Sequence, residues 1–218
     1  MKSESLVSAV LFDFGGVITA SPFEAFARYE AEMGVPTDSI RKINSTNPNN
    51  NAWAKMERSE VTLKEFCDLF EKEAQAFGLE LSGERVLGCL SGDVRPQMVR
   101  ALEILKERVT IGCITNNMKS GHGSGMSRTA DQAAIIADIM TMFEVVVESA
   151  KVGVRKPDLR IYEMACNELK VDPSDCAYLD DLGINCKPAA ALGMTAIKVV
   201  SPEQALEDLE NVVGFSLR

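Results

Sequence analysis

No stretch of this chain approaches the run of about 20 apolar residues that a membrane-spanning helix requires, which argues against an integral membrane protein of that kind. Basic residues are in the minority: 23 Lys and Arg stand against 32 Asp and Glu, for a net charge of −9. A general nucleic-acid or anionic-membrane surface needs a basic stripe, and this balance argues against both. The six cysteines, Cys67, Cys89, Cys113, Cys166, Cys176 and Cys186, form no CxxC or other metal-ligand spacing. Most lie in apolar runs, so they read as reduced core thiols. The opening MKSESLVSAVLF has an early acidic residue, no extended apolar stretch before Asp13 and no cleavage signature. A signal peptide is therefore not expected, and the expected compartment is the cytoplasm. The glycines of GHGSG are not followed by the Lys-Ser/Thr of a phosphate-binding P-loop.

What is present is ordinary for a packed protein. The 218 residues are 46% hydrophobic and fit one large domain, or a core with a small accessory unit. Five short, nearly continuous apolar runs stand out at Leu6–Phe12, Val109–Ile114, Phe143–Val147, Cys176–Leu179 and Thr195–Val200. Such runs mark strands covered on both faces, as in a parallel sheet between helices. Helical periodicity with start signals lies between and after the later runs, at Pro96–Glu107, Arg128–Met142, Leu159–Leu169 and the box Ser201-Pro202-Glu203-Gln204. The alternation predicts a doubly wound α/β domain.

Residues from about 20 to 90 break that alternation. Ser21-Pro22-Phe23-Glu24 predicts a capped helix that Gly34 ends, and Thr62-Leu63-Lys64-Glu65 starts another that runs to Gly78. Between them Asn44–Asn51, NSTNPNNN, reads as a polar turn unable to pack a core. The expected organisation is an α/β core from 1–19 and 91–218, with an all-helical insertion at 20–90.

In open α/β sheets ligands bind beyond the carboxyl ends of the strands. The first predicted strand ends at Asp13, followed by Phe14-Gly15-Gly16. The second ends at Thr115-Asn116-Asn117. The third leads into Lys151-Val152-Gly153-Val154-Arg155-Lys156-Pro157-Asp158, and the fourth ends at Asp180-Asp181. Singly, each reads as a turn, a helix cap or a solvated loop at least as readily as a functional residue. Together they place a carboxylate, a hydroxyl with amides, a lysine and an acid pair at four strand ends. That set offers a nucleophile, ligands for phosphate oxygens, a counter-charge and acids for a hard metal. An acidic protein handling an anion needs such a locally positive site, which a divalent cation and a lysine supply.

At these residues a resemblance becomes specific. LFDFGGVIT, TNN, the lysine of VRKPD and YLDDLGINCKPAAALGMTAI resemble the four motifs of the haloacid dehalogenase-like (HAD) superfamily, and with GVRKPDLRIY the chain is similar to the phosphatase-type domains of the soluble epoxide hydrolase subfamily. The likeness spans essentially the whole chain, and it implies that the helical insertion is a type-one cap. It further implies a phosphatase acting on a small-molecule phosphate ester, with Mg2+ as cofactor. By the same resemblance Asp13 attacks phosphorus to form an aspartyl-phosphate, Thr115 and Asn116 hold the phosphoryl oxygens, and Lys156 neutralises charge. Asp181 binds Mg2+ with Asp13 and the Gly15 carbonyl; Asp180 stands behind them or serves as an alternate ligand, and Asn185 orients the metal's waters or Lys156.

The pattern departs at Gly15, where most family phosphatases carry a second Asp as general acid and base. A substitute could come from the insertion or from His122, the only histidine, although a lone histidine in a Gly/Ser loop such as SGHGSG is usually just an exposed residue. Trp53 reads as a core anchor or a substrate contact. Two rival readings follow: a metal-free 2-haloacid dehalogenase, which the Asp180-Asp181 pair opposes by repelling a carboxylate substrate, and a catalytically silent domain that binds a phosphorylated ligand.

Overall fold

The computed structural model describes residues 7–117 and 130–218. Its centre is a five-stranded sheet, all parallel, in the order β3-β2-β1-β4-β5. The strands are β1 (Ala9–Phe12), β2 (Thr110–Thr115), β3 (Val145–Glu148), β4 (Cys176–Asp180) and β5 (Thr195–Lys198). All five coincide with the predicted apolar runs to within a few residues. The residues of β1 are fully buried, as continuous apolarity requires of a central strand. Alternate side chains serve opposite faces: Val10 and Phe12 join one core cluster, Ala9 and Leu11 the other.

After β1 come α1 (Pro22–Met33), α2 (Ser39–Ser45), α3 (Ala52–Glu57), α4 (Leu63–Ala76) and α5 (Gly83–Gly88). They share an apolar cluster of their own that includes Phe26, Tyr29, Ile40, Phe66 and Phe70. Thr62 and Glu65 form a reciprocal capping box at the start of α4, as the sequence predicts. The polar segment 44–51 is more structured than a simple turn. Asn51 is buried, donates to the Asn44 and Thr46 carbonyls at 2.7 and 3.0 Å, and caps α3 by accepting the Ala54 N–H at 2.8 Å. A buried amide is tolerated where its groups are paired in this way. Chain entry and exit lie side by side: Thr19 and Val94 form an antiparallel bridge, flanked by Ala20 N–H to Asp93 O and Arg95 N–H to Ile18 O.

The remaining helices are α6 (Pro96–Leu105), α7 (Ala130–Met140), α8 (Ser149–Val152), α9 (Leu159–Leu169), α10 (Gly183–Ala191) and α11 (Pro202–Val213). The one-turn α8 stands where the sequence predicts only a basic loop. Among the described residues no helix is long and apolar enough to cross a membrane.

The strand order reverses direction between β1 and β4, so their carboxyl ends form the switch point at which such sheets bind ligands. The register pairs Phe12 with Leu179. One residue on, Asp13 stands level with Asp180.

Candidate active site

Asp13, Asp180 and Asp181 each offer a carboxylate oxygen, all within 4.8 Å of one another. Between Asp13 and Asp180 lies the Lys156 ammonium, 2.8 Å from Asp13 Oδ1 and 2.8 Å from Asp180 Oδ2. Lys156 is 1% exposed, which for a lysine demands paired charge. Asp13 Oδ1 also accepts the Phe14 N–H at 2.6 Å. Among the described residues, both bonds of the Asp13 carboxylate therefore fall on Oδ1.

Asp180 is fully buried and saturated by protein donors. Its Oδ1 accepts from Leu182 N–H at 2.8 Å and Asn185 Nδ2 at 3.1 Å. Its Oδ2 accepts from Tyr178 Oη at 2.5 Å, Lys156 Nζ at 2.8 Å and Asn185 Nδ2 at 3.1 Å. Tyr162 Oη in turn donates to the Asn185 carbonyl at 2.8 Å. Asp181 is less enclosed and takes one hydroxyl, from Ser21 Oγ to Oδ2 at 2.8 Å. Ser21 precedes α1 but gives its helix no side-chain cap, because its hydroxyl is turned to Asp181. The predicted capping box is absent there for that reason.

Three carboxylates against one ammonium leave surplus negative charge. Burial pushes the Asp13 carboxyl well above its ordinary range; Lys156 opposes this, and the Asp180 and Asp181 charges add to it. Burial likewise raises Asp181, with Asp180 adding to the effect. Burial alone would lower Lys156, but Asp13 and Asp180 hold it above its usual value. A cluster of hard oxygen donors with excess negative charge fits a hard divalent cation.

Gly16 closes this cluster from the β1 side. Its φ is +79°, and an added Cβ would stand 2.2 Å from Asp181 Oδ2. Gly16→Ala is expected to displace the Asp181 carboxylate and, if the cluster holds a divalent cation, to weaken its binding by about tenfold or more, the scale on which disturbing a metal's supporting groups acts. Calorimetric titration with Mg2+ checks it; unchanged affinity in the folded variant would separate Asp181 from the metal.

Thr115 is buried at the end of β2. The Asn116 side chain pairs with the main chain of Lys156: Oδ1 accepts Lys156 N–H at 2.9 Å and Nδ2 donates to Lys156 O at 3.1 Å. The four strand-end motifs thus converge, although the Asn116 side-chain amide faces Lys156. His122 lies outside the described residues. Trp53 packs edge-on against Phe26 and Phe66 and donates to Glu57 Oε1 at 3.1 Å, which makes it an anchor of the insertion.

Three neighbours escape a sequence reading. Tyr178 could have been found, since it lies two residues before Asp180 and so on the same face of β4. Ser21 and Glu57 carry no such signal, because their contacts, to Asp181 and to Asn116 at 3.4 Å, join segments far apart in sequence.

Asp13, the buried Lys156 and the Asp180-Asp181 pair thus meet at the switch point of a doubly wound sheet, where such folds bind their ligands. A family model described as haloacid dehalogenase-like hydrolase matches residues 7–193. The chain belongs to that family. It is 30% identical to the mouse protein Acyl-CoA dehydrogenase family member 10 over 96% of its own length and 19% of that relative's. It is 27% identical to pig Bifunctional epoxide hydrolase 2 over 96% of this chain and 39% of the other. The chain thus spans well under half the length of these two relatives. With Sesquiterpene phosphatase astK of Aspergillus oryzae the identity is 23%, covering 94% of this chain and 96% of the other. The fold is shared with a HAD family enzyme of Bacteroides thetaiotaomicron solved with magnesium and inorganic phosphate: TM-score 0.56, 18% identity, 88% and 93% coverage. It is shared also with L-2-haloacid dehalogenase of Xanthobacter autotrophicus: TM-score 0.60, 15% identity, 94% and 82% coverage.

Proposed function

We propose that the chain is a Mg2+-dependent phosphatase that hydrolyses a small-molecule phosphate ester through an aspartyl-phosphate on Asp13. The observation that carries the reading is the surplus of carboxylates around Asp13, since a phosphate could approach only if a cation offset them. The same surplus opposes the metal-free dehalogenase reading. The sesquiterpene phosphatase, similar over nearly the full length of both chains, supports phosphoryl chemistry.

In this reading Asp13, Asp181 and the Gly15 carbonyl hold Mg2+. Asp180 does not, because its oxygens are occupied by Tyr178, Lys156, Leu182 and Asn185. When bound, Mg2+ offsets the negative charge of the phosphoryl group and of the carboxylates. The Asp13 carboxylate attacks phosphorus, and the ester P–O bond breaks with its electrons on the departing oxygen. Lys156 steadies Asp13 through Oδ1 and neutralises charge that builds on the phosphoryl oxygens. The Thr115 hydroxyl holds one of those oxygens. Asn116, its side-chain amide committed to Lys156, contributes its main-chain N–H. Water then attacks the phosphoryl group and releases the Asp13 carboxylate and inorganic phosphate. Residues 20–90 act as a cap that selects the substrate, and six cysteines that form no disulfide suit a cytoplasmic setting.

Chelation tests the reading. Activity on a panel of phosphate esters is expected to vanish in EDTA and to return with Mg2+, while Ca2+, with its larger and looser shell, substitutes poorly. Full phosphatase activity in EDTA would overturn the metal assignment. Halide release from chloroacetate in EDTA, with no phosphatase activity, would favour the dehalogenase.

A further inference from the structure

The helical insertion meets the strand-end loops at a buried carboxylate. Glu57, the last residue of α3, has Oε2 2.5 Å from Arg155 Nε and 3.4 Å from Asn116 Nδ2, while Oε1 accepts from Trp53 Nε1. The Glu57 main-chain carbonyl accepts from Ser149 Oγ at 2.8 Å, and that hydroxyl accepts the Asn117 N–H at 3.0 Å. Arg155 also donates to the Pro48 carbonyl at 2.9 Å, a second tie to the insertion. Every one of these partners lies in the insertion, in the loop after β2, or in the segment from α8 to Lys156.

The Asn116 amide pairs with both the N–H and the C=O of Lys156, which fixes the main chain from which that lysine reaches Asp13. Glu57 receives the second hydrogen of the same amide. An apolar contact could join insertion and core at lower desolvation cost than a buried carboxylate. What the carboxylate adds is a pair of polar contacts at one point: an ion pair with Arg155, the residue next to Lys156, and a long 3.4 Å contact with the amide already held by the Lys156 main chain. Burial raises the Glu57 carboxyl, while Arg155, Trp53 and Lys156 draw it back down.

We propose that Glu57 is a positioning residue through which the helical insertion aligns Asn116 and Lys156 for attack by Asp13, with Arg155 as its counter-charge. The inference rests on the phosphatase reading for its kinetic consequence but not for its structural one. Two readouts therefore test it on the full chain: hydrogen exchange of the Lys156 main-chain N–H, and steady-state kinetics with p-nitrophenyl phosphate and Mg2+.

Glu57→Gln and Arg155→Gln are each expected to speed exchange at Lys156 and to lower kcat by about tenfold or more, the scale on which small misplacements of a catalytic group act. KM should change less, because the lysine stays paired to the nucleophile and only its alignment is lost. The double variant should be little worse than either single one, since both remove the same device. Arg160→Gln, which removes an exposed ion pair with Asp158 nearby in the chain, should match wild type in both readouts. Wild-type kcat in Glu57→Gln, or unchanged Lys156 exchange, overturns the proposal. If wild type turns over no phosphate ester, the phosphatase reading fails and exchange alone decides: acceleration keeps the positioning contact, and no change removes it. Should Glu57→Gln fail to fold, Arg155→Gln carries the same two readouts.

Discussion

Asp13→Asn is expected to abolish turnover, with a loss of about 10⁴ or more, on the scale of nucleophile deletions in other hydrolases. The amide nearly matches the carboxylate in shape but cannot form the covalent intermediate. The fold should survive, because Lys156 keeps Asp180 as a partner at 2.8 Å. The electrostatics add a second expectation. Burial and the Asp180 and Asp181 charges make an ionised Asp13 costly without a cation. Replacing it by a neutral amide should therefore leave the metal-free melting temperature unchanged or raised, while the extra stability gained on adding Mg2+ should shrink. Turnover with circular dichroism and thermal melts, with and without Mg2+, checks both halves. Wild-type-like turnover in the folded variant would remove Asp13 from the chemistry.

The second large effect belongs to Gly15. Without an acid there, the departing oxygen leaves with more negative charge, so aryl, acyl and anomeric sugar phosphates should outrun simple alkyl phosphates. Slow release of the aspartyl-phosphate should also give a pre-steady-state burst, because Gly15 offers no base to prepare the water. Gly15 is not in the left-handed region, and an added Cβ would find no atom within 4 Å. Gly15→Asp is thus sterically accommodated, unlike any change at Gly16. It is expected to raise turnover of alkyl phosphates by about 10²-fold or more, in the range that general acid-base help supplies. Comparing aryl and alkyl substrates in wild type and variant tests this. Equal wild-type rates on both classes would mean that another residue donates the proton, and His122 would be the first to replace.

Much of the sheet was legible because a strand buried on both faces must be apolar along its whole length, as in AVLF of β1 and CAYL of β4. Helix α9 was equally plain: Asp158 caps it by accepting the Arg160 N–H, and its bounds match the predicted Leu159–Leu169. The convergence of Asp13, Lys156 and Asp180-Asp181 was legible because a parallel sheet gathers all its strand ends at one edge. Other features depend on contacts that local sequence does not encode. Ser21 has the sequence of a cap, yet its hydroxyl serves a carboxylate 160 residues away. Asn116 looks like a phosphate ligand, yet its amide is taken by the main chain of Lys156. Asn51 sits in a segment whose composition signals a turn, and only the fold buries it. In each case a polar side chain has several possible partners nearby, and the tertiary arrangement selects one.

The proposed mechanism stands on the phosphorylation of Asp13 during turnover. Acid quenching within the first turnover on an aryl phosphate in the presence of Mg2+, followed by peptide mass analysis, measures this directly. One added phosphoryl group is expected on the peptide that contains Asp13, lost on standing at neutral pH and absent from Asp13→Asn. Turnover of the same substrate with no phosphoryl group on that peptide at any time point, or with the group on another residue, would contradict it.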